Sequence, residues 1–125
     1  MPNPNAKFDV KGFEQLPAIG RFRFALNGAS HPDGIKDQGK IVESILRTGV
    51  GTIRVTLNIE LAELDVWVEL QHNGDTKVKA ETITEGLSSK AVFDVYVISA
   101  TALSDALDGP MVKCLLFGTR RKPLP

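Results

Sequence analysis

Apolar and polar residues alternate with a period of two through most of this chain, starting at Arg21. Phe22, Phe24 and Leu26 interleave with Arg21, Arg23 and Ala25. That is the pattern of a strand with one face on a core, and Asn27-Gly28 ends it. Ala29 to Gly39 is polar and contains His31-Pro32-Asp33-Gly34, which predicts a loop. From Lys40 to Thr48 the spacing of Ile41, Val42, Ile45 and Leu46 suits either a strand or helical turns. The Gly49-Val50-Gly51 turn that follows favours a strand. Thr52 to Ile59 is the most regular stretch, with Ile53, Val55, Leu57 and Ile59 on one face and Thr52, Arg54, Thr56 and Asn58 on the other. β-Branched residues at this period pack well on a pleated sheet, so residues 40–59 are expected to form a hairpin.

After a connection at Glu60 to Leu64, Val66, Val68 and Leu70 alternate with Asp65, Trp67 and Glu69, up to a His72-Asn73-Gly74-Asp75 turn. Thr76 to Thr84 returns with Val78, Ala80 and Thr82 on one face and Lys77, Lys79, Glu81 and Ile83 on the other. Glu85 to Lys90 reads as a turn around Gly86. Ala91 to Ala100 is nearly continuous apolar sequence, as expected of a central strand buried on both faces. Thr101 to Pro110 is a loop with room for one helical turn at Ala102 to Leu107, and Met111 to Phe117 is the last strand.

These elements predict an all-β fold, an antiparallel β-sandwich of about seven strands over residues 18–118. An N-terminal arm (residues 1–17) precedes it and a basic C-terminal tail (residues 119–125) follows it. The arm has three prolines, Pro2, Pro4 and Pro17, but also Phe8, Val10 and Phe13. It either frays, as termini do, or anchors on another surface through Phe8 and Phe13.

Composition narrows the functional classes. At 125 residues the chain has the size of one domain and can bury a core without a covalent staple. At 42% hydrophobic residues it is too apolar for a disordered chain. Lys plus Arg and Asp plus Glu are 15 each. A balance of zero argues against a dedicated nucleic-acid or anionic-membrane partner and leaves self-association unopposed. The run Arg120-Arg121-Lys122 reads as a solvated terminus, since three charges are a weak footprint for nucleic acid. The single cysteine, Cys114, excludes an intrachain disulfide and fits a reducing cytoplasm or a particle assembled there. Inside an apolar run it reads as a small buried hydrophobe. The N-terminus lacks the apolar core of a signal peptide, and no apolar run approaches the roughly 20 residues needed to span a bilayer.

Candidate chemistry is sparse. His31, His72 and Cys114 lie far apart, without the short spacings of a zinc site. Ser30, His31 and Asp33 are neighbours in a turn cluster, where Ser, Asp and Gly are expected anyway. Gly49-Val50-Gly51 falls between two strands and not before a helix, so it is hairpin chemistry and not a phosphate loop. Glu60 with Glu63, and Asp105 with Asp108, read as solvated loop acids, and Asp105 to Gly109 lacks the ligand density of a calcium loop. The expectation is a protein with no catalytic residues, cofactor or metal. Trp67 faces outward if Val66, Val68 and Leu70 face the core, which makes it a candidate interface anchor. The alternative, Trp67 in the core with the valines under a loop or partner, stays open.

Two stretches carry a resemblance. Ile45-Leu46-Arg47-Thr48-Gly49-Val50-Gly51-Thr52-Ile53-Arg54-Val55-Thr56-Leu57 resembles a hairpin of small phage virion β-domains, in which a strand enters a Thr-Gly-x-Gly turn and returns as a Val-Thr-Leu strand. Ile53 stands where an aromatic is usual. Phe93-Asp94-Val95-Tyr96-Val97, and Val112 to Gly118, are similar to the way those domains close. The resemblance covers residues 40–118 and implies a scaffold without catalytic residues. It points to a capsid decoration (cement) protein, a homotrimer bound to the major capsid protein on the capsid surface of a virion assembled in the host cytoplasm. A tail or fibre component is the alternative, as is a β-sandwich module that binds a small molecule or carbohydrate. In the decoration reading, the arm around Phe8 and Phe13 makes the lattice contacts. The loops Ala29 to Gly39 and Thr101 to Pro110 are further candidates.

Overall fold

A computed structural model describes residues 18–72, 74–84 and 86–119, with no side-chain account for residues 86–88. The arm with Phe8 and Phe13, and the tail beyond Thr119, lie outside these residues. The described chain is all-β, as the alternation predicts. It runs β1 (Ala18–Asn27), β2 (Asp33–Lys36), β3 (Val42–Gly49), β4 (Thr52–Leu61), β5 (Glu63–Leu70), β6 (Thr76–Thr84), β7 (Gly86–Ser99), β8 (Ala102–Leu103) and β9 (Asp108–Thr119). Two antiparallel sheets pack face to face. One has the strand order β2-β1-β9-β5 and the other β3-β4-β7-β6, with β8 beside β7.

The core is built from the inward half of each alternation. Phe22, Phe24, Leu26, Leu64, Val112, Cys114 and Leu116 come from the first sheet and meet Ile45, Ile53, Val55, Leu57, Leu61, Phe93, Val95 and Val97 from the second. The Phe22 and Phe93 rings touch between the sheets, with centroids 6.2 Å apart. Burial in this apolar surrounding pushes the Cys114 thiol well above its ordinary pKa. The chain changes sheet at Ala62, where β4 passes into β5 without a hairpin. Thr82 Oγ1 donates to the Leu64 carbonyl (3.1 Å), which ties the β6 edge of one sheet to the β5 edge of the other.

Several expectations need correction. The polar stretch from Ala29 to Gly39 is not all loop: Asp33–Lys36 forms β2, a fully exposed edge strand on β1. Gly86 to Lys90 is not a turn. It opens β7, with Leu61 opposite Gly86 and Glu60 opposite Lys90. No helical turn forms at Ala102 to Leu107; Ala102–Leu103 pairs back on Ser99 and Ile98 as β8. The apolar run from Ala91 is central in its sheet. Only its Ala91, Phe93, Val95 and Val97 side faces the core, while Val92, Tyr96 and Ile98 are half-buried on the outer face.

Candidate functional site

Sheet pairing turns sequence alternation into two outer faces of different character. On the outer face of the β3-β4-β7-β6 sheet, the charges at its middle satisfy one another. Arg54, Asp94 and Glu81 stand side by side on β4, β7 and β6. The Arg54 guanidinium donates to both Asp94 oxygens, at 2.9 and 3.0 Å. Asp94 is only 4% exposed, although it points away from the core. Next to it the Tyr96 hydroxyl donates to Glu81 (2.7 Å), and Lys79 Nζ lies 5.8 Å from the Tyr96 ring centre. The bond to Glu81, with burial, pushes the Tyr96 pKa up to about 12. Lys90 pairs with Glu43 on the same sheet.

The outer face of the β2-β1-β9-β5 sheet differs. Trp67 on β5 is directly opposite Leu115 on β9, which is directly opposite Arg21 on β1. Val66 and Val68 turn inward, the first of the two alternatives that the sequence leaves open, and Trp67 is 66% exposed, beside Leu115 at 36%. The next row is Lys36, Arg23, Lys113 and Glu69, across β2, β1, β9 and β5. In the row on the other side, Asp65 stands beside Phe117. None of Arg21, Arg23, Lys36, Lys113, Asp65 and Glu69 forms an ion pair among the described residues. This face therefore carries unspent charge around an exposed aromatic. Of the expected interface residues, the structure places Trp67 here; Phe8 and Phe13 lie outside the described residues.

A third feature sits at the end of the sandwich where β3 turns into β4. Asp105 accepts two hydrogen bonds from the Arg47 guanidinium (3.1 and 2.5 Å) and one from the Gly51 N–H (2.8 Å). His31 Nδ1 accepts from the Arg47 backbone N–H (3.0 Å), which leaves Nε2 of a neutral ring to carry the proton. Arg47, Gly51 and Asp105 line a small cleft with Leu26, Ile53 and Leu107, with room for no more than a water molecule. Asp105 is therefore a latch and not the solvated loop acid that its surroundings in the sequence suggest. His31 is engaged by Arg47 and so does not lie free in its turn. Arg47 and Asp105 are 58 positions apart, with no local signal to join them.

The latch has a pH signature. The hydrogen bonds from Arg47, with that from Gly51, hold the Asp105 carboxyl below its ordinary value of 3.8. A carboxyl with a lowered folded-state pKa stabilises the fold above its unfolded pKa and loses that contribution as pH falls through the folded value. Thermal melts below about pH 4 should therefore show a Tm decline that is shallower in Asp105→Asn, whose Tm at neutral pH is already lower. Equal acid slopes for both proteins would refute the assignment.

Among the described residues no group of three or more His, Cys, Asp or Glu side chains is placed to hold a metal ion. No family model matches this chain, and no curated protein or solved structure matches it either.

Proposed function

We propose that this chain is a non-enzymatic structural protein that acts by surface contact: a capsid decoration protein of a phage particle that bridges capsid subunits and associates with itself. The observation that carries the contact role is Trp67, the chain's only tryptophan, exposed on the edge strand β5 beside Leu115 of β9. A large aromatic held on a rigid sheet offers apolar area whose burial by a partner is favourable, and buried aromatics dominate binding energy at interfaces. The particle itself comes from the resemblance of residues 40–118 to virion β-domains.

The physical role in that setting is linkage. A protein that binds only the assembled shell lowers the free energy of that shell and opposes its expansion or rupture. Contact with the lattice is assigned to the segment holding Phe8 and Phe13, which joins the sandwich at Ala18. Mass spectrometry of purified heads and tails tests the location, with the chain expected in heads. Its presence in tails alone would replace the capsid by the tail or fibre. Deleting residues 1–11 should leave a folded protein that decorates heads poorly. Unchanged saturation by the truncated protein would remove the arm from the mechanism.

A further inference from the structure

The charges on the Trp67 face are sorted, not mixed. The row Lys36–Arg23–Lys113–Glu69 carries three cations and then an acid. Arg21 adds a fourth cation on the β1 side, and Asp65 a second acid on the β5 side. Trp67 lies on β5 between the two acids, and Leu115 and Phe117 lie on β9 in line with Lys113. A face that is basic on its β1 side and acidic on its β5 side, with apolar side chains on β9 and β5, is complementary to itself when turned over.

We propose that the occupant of this face is a second copy of the chain, packed face to face about a two-fold axis parallel to the strands and passing along β9. The proposal rests on reading the chain as a self-associating structural protein, and does not depend on a virus particle. Rotation about that axis lays β5 of one copy over β1 of the other with each row kept at its own height. Glu69 then faces Arg23 of the second copy, the Trp67 ring faces Arg21, and the two Leu115 side chains meet on the axis. Arginine over tryptophan is a favourable cation–π pair, and sheets pack within about 30° of alignment, which keeps the central rows in register. The other in-plane axis, perpendicular to the strands, sets Glu69 against Asp65 and Arg21 against Arg21. Like-charge contact selects against it. The charge pattern thus favours a pair over the three copies that the resemblance implies. One contact opposes the pair: Lys113 meets its own counterpart near the axis.

Each contact away from the axis of a two-fold interface occurs twice, which gives a decisive test. Sedimentation equilibrium of the full chain should show a monomer–dimer equilibrium. Arg23→Glu and Glu69→Arg, each folded by circular dichroism, should each weaken it by roughly tenfold or more, because each sets two like-charge pairs in the interface. An equimolar mixture of these two single variants should regain wild-type dimerisation, since in the mixed dimer both pairs are again of opposite sign. Lys113→Met should tighten the dimer, and Trp67→Ala should weaken it without unfolding the chain. A wild-type monomer throughout the micromolar range, a trimer, or a mixture as weak as its components would overturn the proposal. So would dimerisation that appears only after deletion of residues 1–17, which would make the chain's own segment the occupant. A dimer formed by a chain absent from heads and tails would sink the particle assignment alone, and a monomer on capsids would sink the dimer alone.

Discussion

Gly51→Ala is expected to destabilise this protein by more than about 3 kcal/mol, while Gly49→Ala, two residues earlier in the same turn, should be nearly neutral. Gly51 has φ +59, where a Cβ costs roughly 1–2 kcal/mol, whereas Gly49 has no positive φ. Space decides the rest. A Cβ on Gly51 would lie 2.6 Å from the Ser104 nitrogen and 2.7 Å from the Val97 oxygen, while one on Gly49 meets nothing within 4 Å. Both obstacles are backbone atoms held by their own hydrogen bond, Ser104 N–H to the Val97 carbonyl (3.0 Å). They have no rotamer to change, so the β3–β4 turn must lift off β7 and carry the Gly51–Asp105 bond with it. Urea denaturation of both variants measures the difference; similar midpoints would show that the turn is not clamped as described.

Phe93→Ala should remove about 3–5 kcal/mol, a large part of the roughly 5–15 kcal/mol that holds a domain of this size together. Phe93 is fully buried in the central strand β7, packed against Phe22 of the opposing sheet. Truncation leaves a cavity between two sheets whose backbones are fixed by ladders on both sides, so little collapse can fill it. Trp67→Ala is the matched contrast. It removes a larger aromatic from a position that makes no core contact, and the folding stability of the monomer should change by no more than about 0.5 kcal/mol. Calorimetry on the two variants tests this pair, and a comparable Tm loss in both would show that Trp67 serves the fold and not a partner.

Strand positions were legible in the sequence where one face is buried. Phe22, Phe24 and Leu26, or Ile53, Val55 and Leu57, declare both the strand and its inward side. The same logic offered an outward Trp67 from its neighbours Val66 and Val68 but left the core alternative open, and sheet packing decides it. Strands with no buried face were not legible: β2 is exposed at all four residues and so has no alternation to read. The opening of β7 at Gly86 was hidden because its pairing with Leu61 and Glu60 is decided by the β4–β5 crossing, a long-range event. Asp94 was a visible signal that the apolar run obscured. A charge at the middle of a central strand demands a partner, and Arg54 supplies it from the adjacent strand. The Arg47–Asp105 latch and the sorted charges of the Trp67 face depend on which strands become neighbours. Periodicity within a strand carries no such information.

Ala18 and Phe117 are partners on neighbouring antiparallel strands, so the described chain enters and leaves the sandwich at one pole, through β1 and β9. Tension applied between those two points would not load the ladder in shear, with many rungs sharing the force. It would open the ladder like a zipper, one rung after another, starting at Ala18 and Phe117. Pulled by its ends, the sandwich should yield at low force despite a well-packed interior; gripped across its sheets, it should resist far more.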